Sequence, residues 1–268
     1  MLPFVKWPGG KRWAAPVISG LIEKNLRRTY YEPFLGGGAV FFYAQPKSAV
    51  LSDINSKLIN LYLIVQRNPE ELKETIRSMP VTRENYYRIR EVDFSDPVLG
   101  AAQFLYLNRT AFGGIYRLNQ DGKFNVPYGG GERTPATLWS RGNVLKQASE
   151  ALSEAVILQS DFEIMLSRAG CGDVVYCDPT YTVAHENNGF VRYNERNFSW
   201  NDQERLARAA QRAADRGAFV LISNAHHSAV RNLYEGAEFH TLERKSLVSP
   251  QISGRRLVRE YLIVLRSR

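Results

Sequence analysis

Cysteine is nearly absent: the 268 residues hold only Cys171 and Cys177. One pair at most is no disulfide framework, so a reducing cytoplasm is the expected compartment. Cys177 stands in an apolar run, where a thiol behaves as a small buried hydrophobe. No apolar run is long enough to cross a bilayer. The start, Met1-Leu2-Pro3-Phe4-Val5-Lys6, lacks the basic flank and long apolar core of a secretory signal. No membrane association is therefore expected. Histidine is scarce at four residues, and neither Cys nor an acid falls at zinc-ligand spacing beside His185, His226 or His227, so no metal site is expected. The Gly-x-x-x-x-Gly-Lys-Ser/Thr phosphate loop and the Gly-x-Gly-x-x-Gly dinucleotide fingerprint are both missing, as are internal repeats and low-complexity tails.

What is present is basic charge and enough apolar matter for a large core. Lys and Arg total 35 against 27 acids, a formal net charge of +8, with 44% hydrophobic residues. That balance suits a polyanionic partner. With membranes set aside, nucleic acid is the expected one.

Short apolar runs alternate with helical patterns. Strands are expected at Tyr30 to Phe34, Ala49 to Asp53, Ala155 to Leu158, Asp173 to Cys177, Ala218 to Ile222 and Arg259 to Leu265. Asp202 to Arg216 is the clearest helix between them. Continuous apolar strands separated by helices predict an α/β domain with a mostly parallel sheet covered on both faces. From about Lys57 to Ala151 the strands give way to helices, at Leu58 to Val65, Glu70 to Ser78, Arg83 to Glu91 and Val98 to Asn108, and then to a loop from Gly113 to Arg133. This reads as a mostly helical domain, 57–151, inserted into an α/β domain made of 1–56 and 152–268.

Ligands of α/β sheets bind beyond the carboxyl ends of strands, and two features stand there. Glu32-Pro33-Phe34-Leu35-Gly36-Gly37-Gly38 follows the first strand, and the second ends on Asp53, at the distance where an acid reaches a ribose hydroxyl. Asp178-Pro179-Thr180-Tyr181 follows a buried strand directly. A carboxylate and a carbonyl aimed by proline are suited to accepting both N–H groups of an amine, which exposes the nitrogen lone pair, and the tyrosine face is suited to stacking on a base. Asp-Pro also marks ordinary turns, and from the tetrapeptide alone the two readings stand level.

Taken in order, the motifs resemble the Dam-type (D12 class) family of DNA adenine-N6 methyltransferases. The pieces are Lys6-Trp7-Pro8-Gly9-Gly10-Lys11, Glu32 to Gly38, Ser52-Asp53-Ile54-Asn55, Tyr106-Leu107-Asn108-Arg109, Gly122 to Gly129, Asp161-Phe162, Asp178 to Tyr181 and Leu221-Ile222-Ser223-Asn224. The resemblance implies a Rossmann-like S-adenosylmethionine-dependent methyltransferase sheet, with the helical insertion as target-recognition domain. It implies double-stranded DNA as partner, no obligate protein partner, and a bacterial or phage origin. It also implies roles. Trp7, Lys11, Phe34, Gly36, Gly38, Asp53, Asp161, Phe162 and Asp178 would hold S-adenosylmethionine, with Asp53 on the ribose and Asp161 and Phe162 bracketing the adenine. Asp178 and the Pro179 carbonyl would polarise the target amine while Tyr181 stacks on a flipped base. Thr180 departs from the family, which has a second proline there. The alternatives are a catalytically weak or inactive DNA-binding relative, or methylation of RNA.

The insertion interleaves basic and aromatic residues, the composition of a phosphate-binding and base-contacting surface. Tyr86, Tyr87 and Tyr106 are read singly as helix core. The DNA-facing candidates are Arg88, Arg109, Phe112, Gly113, Ile115, Arg117, Asn119, Asn125, Tyr128 and Arg255. Arg117 is the residue type suited to guanine's two major-groove acceptors, and it lies where the family's recognition hairpin reads a guanine beside the target. A guanine-containing site such as GATC is expected. The basic stretch from Arg244 to Arg256 is expected on backbone phosphates, and Thr182 to Phe198 is read as a segment that orders when substrate binds.

Overall fold

The computed structural model describes residues 1–119, 122–131, 143–182, 198–245 and 257–267. Arg255, His185 and most of the 182–198 and 244–256 stretches singled out above lie outside them. The order is α1 (Ala15–Asn25), β1 (Tyr30–Glu32), α2 (Ala39–Ala44), β2 (Ala49–Asp53), α3 (Ser56–Arg67), α4 (Pro69–Arg77), α5 (Arg83–Glu91), α6 (Pro97–Thr110), α7 (Val144–Leu152), β3 (Val156–Gln159), α8 (Phe162–Arg168), β4 (Val174–Cys177), α9 (Trp200–Asp215), β5 (Phe219–Ala225), α10 (Ser228–Leu233), β6 (Glu238–Lys245) and β7 (Leu257–Leu265).

Among the described residues the strands form a seven-stranded sheet in the order β3-β2-β1-β4-β5-β7-β6. The pairs β1–β2, β1–β4 and β4–β5 are parallel. The pairs β5–β7 and β6–β7 are antiparallel. The expected α/β fold with a mostly parallel sheet is thus present. β6 is an addition to the expected strands. Its sequence, Glu-Phe-His-Thr-Leu-Glu-Arg-Lys, places charged residues throughout, as an edge strand does to discourage pairing with another chain.

The chain divides into two compact units. One comprises Met1–Ala15, Gly36–Gln45 and Asn55–Gln159; the other comprises Pro16–Leu35, Pro46–Ile54 and Ser160–Arg268.

In the first unit, helices begin on side-chain caps where the sequence supplies them. Asn55 accepts from Leu58 N–H, Thr82 from Asn85 N–H and Asp96 from Leu99 N–H. Tyr86 and Tyr106 are fully buried beside Ile89 and Val126, in agreement with their reading as helix core. After α6 comes a small hairpin, with bridges Ala111–Tyr128 and Leu118–Phe124.

In the second unit the core joins strand residues Val175, Val220, Ile222 and Ile263 to Leu166 of α8 and Leu206 of α9. α9 opens on a capping box between Ser199 and Asp202. The buried side of α9 carries Ala207, Ala209, Ala210, Ala213 and Ala214, small residues that pack in the core of this unit.

Candidate active site

In the second unit, the register of the sheet gathers the expected cofactor and catalytic residues at one edge. Tyr30 of β1 pairs with Ala49 of β2 and with Val174 of β4. Phe34, Asp53 and Asp178 stand at or just past the carboxyl ends of these three parallel strands. Two carboxylates and an aromatic ring therefore leave the same end of three adjacent strands, the end at which α/β sheets bind ligands.

Asp161 and Phe162 join this edge through α8. Asp161 is the N-cap, accepting from Glu163 N–H at 2.8 Å. The Phe162 ring stacks on Phe34 with centroids 5.3 Å apart and planes 23° from parallel, and Phe198 meets Phe34 edge-on. Arg205 of α9 fixes the arrangement from behind. Its guanidinium donates to Asp161 Oδ1 at 3.1 Å, to Glu163 and to Asp202, and its Cζ lies 4.9 Å from the Phe162 ring centre. The hydrogen bond to Asp202 and the nearby acids raise the already high affinity of this guanidinium for its proton.

The tetrapeptide is held on two sides. Asp178 is half-buried, Pro179 buried and Thr180 exposed. On one side lies Gln203 of α9, which is fully buried. It donates to Thr182 Oγ1 at 3.2 Å and to the Thr180 carbonyl at 3.4 Å, and is itself oriented by Asn224 of β5 at 2.9 Å. On the other side the Tyr181 hydroxyl donates to Glu260 Oε2 of β7 at 2.8 Å. Burial, then the Asp178 and Glu260 carboxylates, push the Tyr181 phenol well up, so it stays protonated and able to donate. Burial and Asp178 do the same to Tyr176, whose hydroxyl bonds Ser223 at 2.8 Å.

The first unit carries the remaining cofactor candidates and most of the DNA-facing ones. Asn108 brackets the Lys6 peptide, accepting its N–H at 2.9 Å and donating to its carbonyl at 2.7 Å. Arg109 donates to the Phe4 carbonyl at 2.6 Å. These two residues of α6 thus fix the segment that presents Trp7. The Trp7 ring stacks on Tyr116 at 5.6 Å, and Tyr116 stacks in turn on Phe104 of α6 at 4.7 Å. Gly36 has φ +47°, and a Cβ there would stand 2.7 Å from the Trp7 ring. Gly38 has φ +64° and caps α2, with room denied by the Tyr62 hydroxyl at 2.9 Å. Lys11 is buried, its ammonium donating to the Gly9 carbonyl at 2.9 Å.

The hairpin exposes some of its candidates, whereas Ile115 and Tyr128 pack against the core around Tyr86, Tyr106 and Val126. Phe112 is 61% exposed, an unusual state for a phenylalanine. Gly113 and Gly114 both have positive φ, which turns the chain sharply behind it. Arg117, Asn119 and Asn125 are exposed, while Ile115 and Tyr128 are half-buried. Arg117 Nε donates to Asn125 Oδ1 at 2.9 Å, so the two candidates facing one another across the hairpin are already paired. Asn125 N–H donates to the Arg117 carbonyl and Asn119 N–H to that of Lys123, tying the strands together. Arg88 is exposed on α5 and donates twice to Asn85 Oδ1. His226 packs against Tyr261, and His227 caps α10 through Nδ1.

Arg205, Gln203 and Glu260 were not among the sequence candidates. Each acts on a motif residue far away in the chain, and no local pattern marks them.

The chain matches the family of D12 class N6 adenine-specific DNA methyltransferases over residues 7–249. It is 34% identical over 275 residues to the type II methyltransferase M1.LlaDCHI of Lactococcus lactis subsp. cremoris, covering 97% of this chain and 94% of that protein. Identity is also 34% to the type II methyltransferase M.MjaIII of Methanocaldococcus jannaschii, over 92% of each chain. To the DNA adenine methylase of Escherichia coli strain K12 it is 34%, over 97% of this chain and 93% of that one. A motif series in family order, a sheet that brings its acids to one edge, and relatives matched over nearly their full length lead to one statement: this chain belongs to the D12 class of N6 adenine-specific DNA methyltransferases.

Proposed function

We propose that this methyltransferase uses S-adenosylmethionine as donor and acts on an adenine turned out of duplex DNA, at a site containing guanine. The observation that carries the reading is the placing of Phe34, Asp53 and Asp178 at the carboxyl ends of the adjacent parallel strands β1, β2 and β4. The donor set fits the cofactor. Asp53 ends a strand, as an acid that accepts from a ribose diol does. Phe162, stacked on Phe34, and Asp161 beside it offer an apolar face and a carboxylate to a purine with an exocyclic amine. In the first unit, Lys11 brings an ammonium suited to a carboxylate, Trp7 an aromatic wall, and Gly36 and Gly38 a turn closed to side chains. When bound, S-adenosylmethionine supplies a methyl group on a sulfonium.

The chain's own residues prepare the acceptor. The N6 lone pair of adenine is delocalised into the ring and is a poor nucleophile. Asp178 accepts one N–H and the Pro179 carbonyl the other, favouring a tetrahedral nitrogen with its lone pair exposed. The methyl group would come from the sulfonium, which would be left as a thioether as the C–S bond breaks; the nitrogen would lose one proton, which Asp178 would accept and pass to water. Tyr181 stacks on the base that has left the duplex. Thr180 leaves both acceptors in place, and its carbonyl is tied to Gln203, so catalysis survives the missing proline.

On the hairpin, Arg117 reads guanine, Phe112 enters the space left by the turned-out base, and Asn119, Asn125 and Tyr128 contact the adjoining bases and backbone. Arg88 and Arg255 bind phosphate.

Transfer of tritium from labelled S-adenosylmethionine tests this, using duplexes with GATC, its single-base variants and matched RNA. Label should appear at N6 of adenine in duplex DNA and fall when the guanine is replaced. Absence of label in every adenine-containing duplex, or label in RNA alone, overturns the proposal. Site preference unchanged in Arg117→Ala removes the guanine-reading role.

A further inference from the structure

We infer that Glu260 is the positioning residue for Tyr181, holding its ring at the orientation in which it meets the target base. The inference rests on the reading of Tyr181 as the base-stacking residue. Glu260 is only 5% exposed. A carboxylate is expensive to bury unless hydrogen bonds and charge repay its lost hydration, and here they do. One oxygen, Oε2, accepts the Tyr181 hydroxyl at 2.8 Å; the other, Oε1, lies 3.5 Å from Arg244 Nε. The acid stands on β7 opposite Leu242 of β6 and Ala225 of β5, in the antiparallel part of the sheet, so its backbone is fixed from both sides.

Tyr181 needs such a hold. It comes after a proline, an exposed threonine and a strand end, and its ring is half-buried. Gln203 secures the Thr180 carbonyl and the Thr182 hydroxyl, on either side of Tyr181. A charge-assisted hydrogen bond at the far end of the ring holds the side chain itself. An apolar residue at position 260 would take this acceptor from the Tyr181 hydroxyl; glutamine would keep an acceptor and lose only the charge.

A double-mutant cycle over Glu260→Ala and Tyr181→Phe separates positioning from mere support of the sheet. Single-turnover methylation and the fluorescence of 2-aminopurine at the target position are read in each variant, with duplex affinity as a control. Glu260→Ala should slow methylation roughly tenfold and lower the fluorescence change, at nearly unchanged DNA affinity. Tyr181→Phe should do the same, and adding Glu260→Ala to it should cost little more. Glu260→Gln should recover most of the rate. If the Glu260→Ala loss recurs in full in the Tyr181→Phe background, or Glu260→Gln is as slow as Glu260→Ala, Glu260 does not act through Tyr181 and the inference falls. Full activity in Tyr181→Ala would instead sink the stacking role itself.

Discussion

Trp7 lies nearly parallel to Tyr116, with ring planes 20° apart, although 109 positions separate them in the chain. The first of these residues belongs to the N-terminal motif and the second to the hairpin that follows α6. Tyr116 also stacks on Phe104. Stacked aromatic pairs contribute about 0.5–1.5 kcal/mol each beyond area burial. Tyr116→Leu should therefore destabilise the protein by about 1–3 kcal/mol, read as a lower urea midpoint. Combined with Trp7→Leu, the loss should be smaller than the sum of the two single losses. Strict additivity would show that the stack carries no energy.

Two glycines with positive φ separate strain from space. At Gly36 a Cβ meets the Trp7 ring at 2.7 Å, while at Gly122 nothing lies within 4 Å. Left-handed backbone costs a side-chain-bearing residue about 1–2 kcal/mol. Gly122→Ala should show that cost alone. Gly36→Ala should add an overlap worth about 1–3 kcal/mol, because Trp7 is pinned by Tyr116 and cannot swing aside. Equal shifts in melting temperature for the two variants would contradict this packing.

Arg205 should matter to the cofactor and not to DNA. Replacing it by alanine leaves Asp161, Glu163 and Asp202 without their common partner and removes the cation from the Phe162 ring. These contacts are partly exposed, so the expected loss in S-adenosylmethionine affinity by calorimetry is roughly three- to tenfold. Arg205→Lys should lie between, since an ammonium cannot serve three acids and a ring at once. A cofactor affinity unchanged by Arg205→Ala would remove Asp161 and Phe162 from the binding site.

Alkaline pH should expose the buried thiol and phenols. Burial, followed by Asp178 and Glu32, raises Cys177 well above its ordinary value of 9.0, and burial and Asp178 raise Tyr176 and Tyr181 well above 10.0. The unfolded chain then binds fewer protons than the folded one. The stabilisation is complete below the unfolded values and is lost as pH rises through them toward the folded ones. The melting temperature should hold to about pH 9 and decline beyond it. A thiol reagent at neutral pH should modify exposed Cys171 quickly and buried Cys177 only on unfolding. Two fast thiols would contradict the burial.

Much of the carboxyl edge of the sheet was legible because parallel strands buried on both faces read as continuous apolar runs, and the residue after each run lies at that edge. Val174 to Cys177 leading into Asp178 is the clear instance, and Ala49 to Asp53 is reproduced residue for residue. The helix expected at Arg83 to Glu91 is present with those bounds as α5, and its N-cap is Thr82. β6 escaped because an edge strand bearing charges has neither an apolar run nor a clean alternation. The supports of the motifs escaped for a different reason. Arg205 reaches Asp161 across 44 positions and Glu260 reaches Tyr181 across 79; such pairings exist only once the sheet has been assembled. Asn108 and Arg109 stand in a motif, yet nothing local says that they grip the backbone of Lys6 and Phe4.

The position of β7 has a consequence for how the enzyme comes into being. This strand follows β6 in the chain yet slides between β5 and β6, giving both of them a neighbour. During synthesis β5 waits with a bare hydrogen-bonding edge until β7 has left the ribosome, a period of exposure to wrong pairing. Glu260 arrives on that same strand. Tyr181 thus gains its hydrogen bond to Glu260 in the step that closes the sheet, and a chain in which β7 has not docked lacks that bond.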